Sequence, residues 1–245
     1  MVSMTGQKQP ARERAMVSAI EPLSERTHLV RLQGPSSFLF EPGQYVALTR
    51  RPDGHTENSG PGRASERHYF SCASESHPDV QGRFELCMNR TASFARGLAE
   101  GEEVGLEGPL GPMITKRAES KLVLLVATGT GVAPLRSALR SKYWLGRQVI
   151  VIVGQRTRAD LLFDDEFRGQ AELDYRPVLS QAGAAEGSLG GRVQVEALRA
   201  LRSAEIVPEL VDAVVCGQSA MVSEVVELLL ENGVSKSGIF AQGYA

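Results

Sequence analysis

The chain has 245 residues, 42% of them hydrophobic, enough to bury the core of one large or two ordinary domains. Its net charge of −2 offers no basic field for nucleic acid, and no apolar stretch is long enough to span a bilayer, so neither nucleic acid nor membrane is expected as a partner. Cys72, Cys87 and Cys216 stand far apart without a CxxC pair, so no metal centre is expected, and reduced thiols in a cytoplasmic protein are the simplest reading.

In chain order, residues 1–11 are polar without an apolar signal core and read as a loose tail. Residues 12–116 hold short runs separated by turn residues: AMVSAIEPL, THLVRLQG, GQYVALTR, RHYFSCAS, GRFELCMN and EEVGLEGP. Alternation with β-branched and aromatic enrichment predicts strands, and their close spacing predicts an antiparallel barrel or sandwich. A helix is expected near Phe94 to Glu100. Between the third and fourth runs, RPDGHTENSGPGRASE reads as a long exposed loop, a candidate contact for a partner by position.

From about residue 117 to 245 strands alternate with helices, the boundary falling in Thr115 to Ser120. Strands are predicted at Leu122 to Val126, Gln148 to Val153, Tyr175 to Leu179 and Ala213 to Cys216. Helices are predicted at Val132 to Tyr143, Phe163 to Gln170, Val193 to Leu201 and Ser219 to Asn232. The alternation predicts a doubly wound parallel α/β sheet with ligands at the carboxyl ends of its strands. Leu122 to Val126 is apolar without alternation, as suits a strand covered on both faces. The turn after it, with Gly129 and Gly131, lets a ligand approach the main chain, and Pro134 suits the first turn of a helix whose start attracts a diphosphate. It is not the GxGxxG fingerprint, because Pro134 stands at the third glycine.

The order of the motifs GQYV (43–46), HYFSCAS (68–74), GPLG (108–111), ATGTGVAP (127–134), VGQRTRADLLFDDEF (153–167), PVLSQ (177–181) and CGQSAMV (216–222) resembles the ferredoxin–NADP reductase superfamily over nearly the whole chain after the tail. The resemblance implies an N-terminal FAD-binding barrel and a C-terminal NADH- or NADPH-binding domain, with hydride passing between the cofactors where the domains meet. In the family flavin motif R-x-Y-S-x-x-S, gapless alignment on Ser71 and Ser74 puts His68 at the arginine and Phe70 at the tyrosine. Arg67 and Tyr69 would take those roles only through a strand bulge. The resemblance implies that His68 faces the diphosphate, that Phe70 packs on the flavin and that the Ser71 hydroxyl lies near flavin N5. It also brings NRTASFARGL to the flavin diphosphate, with Ser93 as a helix N-cap and phosphate ligand and Arg90 as a source of charge.

On the nucleotide side the resemblance assigns Thr128, Gly129, Thr130, Gly131 and Pro134 to the diphosphate, and Arg156, Ser180 and Gln181 to the adenosine end. It sets Cys216 and Gly217 against the nicotinamide. In the C-terminal GIFAQGYA, Tyr244 matches an aromatic that covers the flavin, and Gln242 replaces an acid that could relay a proton. Neutral Gln181 at the position of a phosphate-binding cation leans slightly towards NADH, although Arg156, Arg158 and Arg192 could reach a 2′-phosphate. The implied enzyme is a stand-alone monomeric reductase feeding a separate ferredoxin- or flavodoxin-like acceptor. A flavin or ferric-chelate reductase, or a non-catalytic nucleotide-binding subunit, stays open.

Overall fold

The computed structural model describes residues 13–50, 66–181 and 189–244; the predicted tail and all but the last residue of the predicted 51–66 loop lie outside the described residues. Six antiparallel strands come first: β1 (Glu13–Pro22), β2 (Thr27–Gln33), β3 (Tyr45–Thr49), β4 (His68–Ser71), β5 (Arg83–Asn89) and β6 (Glu103–Leu110). They pair in the order β4-β3-β6-β1-β2-β5. A bridge between Cys72 and Leu86 joins the two outer strands, so the sheet closes into a barrel. Period-two alternation turns Val30, Leu32, Val46, Leu48, Phe84, Leu86 and Met88 inward, each about 1% exposed or less. Burying such a side chain stabilises the fold by about 1.5–3 kcal/mol.

The second sheet is parallel, in the order β10-β9-β8-β7-β11-β12. It comprises β7 (Leu122–Thr128), β8 (Gln148–Gln155), β9 (Leu173–Leu179), β10 (Leu189–Gly190), β11 (Val211–Gln218) and β12 (Ile239–Tyr244), with α1 (Val132–Arg140), α2 (Asp164–Arg168), α3 (Val193–Ser203) and α4 (Ser219–Glu231) between them. Every residue from Leu122 to Ala127 is fully buried. Leu122, Leu124 and Val126 pack with α3 and α4, while Val123, Leu125 and Ala127 pack with α1 and α2, which is why this strand is apolar throughout. The order reverses between β7 and β11, creating the crevice that accepts ligands in such sheets.

One predicted element is absent. Residues Phe94 to Glu100 form a succession of turns, not a helix, and Ser93 is exposed and caps none. Gly97, at φ 69°, is outside the helical region, and the Arg50 guanidinium takes the carbonyls of Phe94 (3.1 Å), Arg96 (2.6 Å) and Gly97 (2.9 Å). A helix would need the first two of these for its own ladder. The remaining donors of Arg50 hold Glu102 at 2.6 and 3.0 Å, so all five N–H groups are used.

Candidate functional site

The extended strand β7 ends at Thr128, and a tight turn, Gly129–Gly131, feeds directly into α1. Gly129 has φ 57°, and no atom lies within 4 Å of the place a Cβ would occupy, so its backbone faces open space. Gly131 is the opposite case: a Cβ there would stand 2.5 Å from the Cys216 carbonyl carbon and 2.6 Å from the Gly217 nitrogen. The turn after β7 therefore packs against the carboxyl end of β11 at the crevice. A groove of about 650 Å³ opens from it, lined by Thr128, Gly129, Thr130, Arg156, Ser180 and Tyr244, with Arg192 also on its wall. Backbone bonds from Ser180 to Gln155 (2.9 Å) and from Gln181 to Arg156 (3.0 Å) hold the ends of β9 and β8 side by side. Gln181 and Gly217 do not line the groove, and Pro134 is buried within α1.

On the barrel side, β4 pairs with β3 residue for residue, Leu48 opposite His68 and Val46 opposite Phe70, without a bulge. His68 and Phe70 thus share one face, and both rings pack on Phe94, at 5.3 and 5.4 Å between centroids. Arg67 and Tyr69 take the other face: Arg67 pairs with Glu107 at 3.1 Å, and Tyr69, 59% exposed, meets Tyr45 edge-on. Tyr69 is therefore not brought together with His68 and Phe70.

Ser71 ends β4 with its hydroxyl turned to the second sheet. It lies 2.8 Å from the Tyr244 hydroxyl and donates to Gln242 Oε1 at 3.2 Å, which also accepts from Tyr244 at 3.2 Å. Three polar groups from two sheets so converge on one point. Burial, and then the neighbouring Cys216 thiol, push the Tyr244 phenol above its ordinary range against a smaller opposing effect from Ser71, so Tyr244 is a neutral hydrogen-bond group. Cys216 pairs in register with Gln242 and is wholly buried, which pushes its thiol up and keeps it protonated.

Arg90 and Ser93 stand apart from this cluster. Arg90 donates to the Glu25 carbonyl at 3.0 Å and lines a smaller cavity of about 210 Å³ with His28 and Gly97. Burial, and then Arg90, hold the His28 imidazole below its ordinary pKa.

Sequence reasoning passed over Arg136. It is 3% exposed, and its Nη1 donates to the Ala73 carbonyl (2.9 Å) and to Glu85 (2.6 Å) of the barrel. Its Nε donates to Glu166 of α2 (2.8 Å), and its plane covers the Phe163 ring at 4.2 Å. One signal was available: Val132, Leu135, Arg136 and Leu139 fall on one helical stripe, so the arginine occupies a core-facing position. Arg50 carries no comparable signal.

The residues present fit a flavin and a nicotinamide nucleotide. An open glycine turn at a crevice suits a diphosphate, and the part-buried hydroxyls of Ser71 and Tyr244 suit the polar edge of a planar ring at the meeting of the sheets. The His68, Phe70 and Phe94 face leads away from that point towards the Arg50-held turns. A closed barrel docked on a parallel sheet around these groups defines a flavin-dependent, nicotinamide-nucleotide-dependent reductase.

The comparisons agree. The family described as "Oxidoreductase NAD-binding domain" matches residues 125–227. The chain is 31% identical over 249 aligned positions to ferredoxin–NADP reductase B of Sorangium cellulosum (strain So ce56), covering 94% of this chain and 96% of that protein. It is 29% identical to the reductase component of propane 2-monooxygenase from Rhodococcus jostii (strain RHA1), covering 93% of this chain and 62% of that protein. In fold it is similar, with TM-score 0.80 at 18% identity, to a ferredoxin NADP+ reductase from Neisseria gonorrhoeae with bound FAD and NADP, covering 97% of this chain and 100% of that one. The chain belongs to the ferredoxin–NADP reductase superfamily.

Proposed function

We propose that this protein takes reducing equivalents from NADPH through FAD and delivers electrons to a separate acceptor of the ferredoxin or flavodoxin type. The observation that carries the reading is the meeting of Ser71 with Gln242 and Tyr244 beside the groove at the carboxyl ends of β7 and β11. Bound FAD would supply a two-electron acceptor able to release its electrons singly. The chain's own contribution is binding, orientation and exclusion of water. Gly129 and Thr130 receive the nucleotide diphosphate, and Ser71 offers its hydroxyl to the ring edge. Tyr244, which lines the groove and meets Ser71 at 2.8 Å, would help hold the ring, and the buried Cys216 thiol, kept protonated by burial, would add a small neutral side chain behind the nucleotide site. Gln242 carries no exchangeable charge, so it orients the two hydroxyls and leaves proton movement to them.

NADPH is favoured over NADH despite Gln181. Arg156 and Arg192 line the groove with Ser180, and among the described residues neither guanidinium has a side-chain partner. Two unspent cations beside a hydroxyl suit a 2′-phosphate. Residues 12–116 act as the flavin domain and 117–245 as the nucleotide domain. Among the described residues no helix is long and apolar enough to cross a membrane. The test is reduction of purified ferredoxins and flavodoxins by catalytic amounts of the FAD-loaded protein and NADPH. Transfer to at least one of them is expected; activity with artificial dyes alone would refute the acceptor assignment.

A further inference from the structure

The strand end that carries Ser71 and the turn that abuts Cys216 belong to different sheets, yet only a short chain of rigid contacts separates them. Immediately after Ser71, the Cys72 N–H donates to the Gln44 carbonyl (3.2 Å), the Ala73 N–H donates to the Glu85 carbonyl (2.8 Å), and the Ser74 hydroxyl accepts from the Glu85 N–H (3.2 Å). Residues 71–74 and Glu85 are thus one fixed unit of the barrel. Arg136 grips that unit at two points, the Ala73 carbonyl and the Glu85 carboxylate, while its Nε is held within the second domain by Glu166. Arg31 donates to the other oxygen of Glu85 at 2.9 Å, so the carboxylate is fixed on both sides. Arg136 itself sits in the helix that begins at the Gly129–Gly131 turn, and Gly131 is pressed on the backbone of Cys216 and Gly217. The apolar surroundings are equally tight: Leu29, Ala73 and Cys87 of the barrel and Ala133 of α1 form one buried cluster.

Building on the proposed reductase reading, we infer that Arg136 is a positioning residue that sets the spacing between the Ser71 edge and the Cys216 edge, and so between a flavin and a nicotinamide held there. An arginine is suited to this task because its planar fork reaches three acceptors in fixed directions, and a lysine in its place supplies one point charge. The clamp is buried, so it does not fluctuate with salt as a surface pair does. It also ties the diphosphate-binding helix start directly to the strand end bearing Ser71, so nucleotide seated on that helix is registered against the barrel and not merely against its own domain. Transfer between two stacked rings depends on sub-ångström placement, and a misplacement of about 1 Å costs about 100-fold in rate.

The experiment is stopped-flow reduction of the FAD-loaded protein by NADPH under anaerobic conditions, for the parent, Arg136→Lys, Glu85→Gln and Glu166→Gln. FAD and NADP+ affinities and thermal stability are measured on the same samples. Arg136→Lys is expected to lower the limiting rate of flavin bleaching by about 10- to 100-fold while both affinities stay within about 2-fold, the margin expected when no ligand contact is lost. Glu85→Gln, which keeps a hydrogen-bond acceptor for Arg136 and is the gentler variant should Arg136→Lys not fold, is expected to slow bleaching in the same sense by a smaller factor. Glu166→Gln, which loosens the hold on Arg136 Nε (2.8 Å) and on Arg140 Nε (2.9 Å) but leaves the two barrel contacts of Arg136 in place, is expected to slow bleaching less than Arg136→Lys does. A limiting rate unchanged in both Arg136→Lys and Glu85→Gln, or one lowered only in proportion to lost flavin, overturns the positioning role. A parent protein that does not bleach at all overturns the reductase reading instead, so the two failures are distinguishable.

Discussion

Replacing Arg50 with glutamine removes the group that holds residues 94–97 in place of a helix. The guanidinium spends five hydrogen bonds, three on the carbonyls of Phe94, Arg96 and Gly97 and two on Glu102. At about 1 kcal/mol net per bond the set is worth about 5 kcal/mol. The side chains of Arg50 and Glu102 are 24% and 26% exposed, so water recovers part of the loss. A destabilisation of about 2–3 kcal/mol is expected after that discount. Phe94, on which His68 and Phe70 pack, is released with its carbonyl. Ordering a loosened residue costs about 1–2 kcal/mol when a ligand binds, so FAD affinity should weaken by about 10-fold or more. Chemical denaturation measures the first effect, and titration of apoprotein with FAD followed by flavin fluorescence measures the second. Arg50→Lys should rescue little, since one ammonium cannot span four acceptor groups. If stability falls while FAD binds as tightly as in the parent, the Arg50-held turns have no part in the flavin site and the reasoning fails.

Other predictions follow from the same geometry. Changing Arg156 and Arg192 together to alanine should lower kcat/KM for NADPH by about 10- to 100-fold, the cost of a lost charge-assisted pair or two at an exposed site, with little change for NADH; equal losses for both nucleotides would contradict a 2′-phosphate site. Gly131→Ala, whose Cβ would meet the Cys216 carbonyl carbon at 2.5 Å, should destabilise by about 3 kcal/mol or more, because backbone cannot give way. Gly129→Ala meets no atom and should cost only about 1–2 kcal/mol of left-handed strain, while slowing nucleotide binding by crowding the turn; denaturation midpoints compare the pair. Glu85 titrates below its ordinary value of 4.5: burial pushes it up, but Arg136 and Arg31 outweigh burial. Its stabilising contribution is therefore complete above that ordinary value and lost as pH falls through the lower folded one, so the gap in stability between the parent and Glu85→Gln should narrow on acidification below about pH 4.5.

Four of the six strands and the helices of the second domain were legible because their signals are local, whereas β10 and β12, not predicted, are edge strands defined by pairing with β9 and β11. The unbroken apolar run from Leu122, the Gly129 turn and the stripe of Val132, Leu135 and Leu139 each fix a period without help from distant residues. The barrel strands were legible by alternation for the same reason. The missing helix at Phe94 to Glu100 shows the limit: its carbonyls are taken by Arg50, a residue more than forty positions away whose hydrogen bonds exist only once the barrel has closed. The site divides in the same way. Thr128, Gly129, Thr130, Arg156 and Ser180 stand out in the sequence because they sit in short motifs at strand ends, and all five line one groove. Unbroken pairing with β3 settles which of His68 and Tyr69 shares a face with Phe70, a question of bulge or no bulge that composition leaves open. Convergence of Ser71 with Tyr244 joins residues 173 positions apart, and Arg136 reaches 63 residues back to Ala73. No spacing rule within one chain segment encodes either.

The central claim is that the groove and the Ser71 cluster hold a nicotinamide nucleotide and a flavin in transfer contact. Anaerobic titration of the FAD-loaded protein with NADPH, and separately with NADH, watching visible flavin absorbance, tests it most directly. Full bleaching is expected near one equivalent of NADPH, with NADH slower or weaker. Flavin that stays bound and oxidised in the presence of excess of both nucleotides would contradict it.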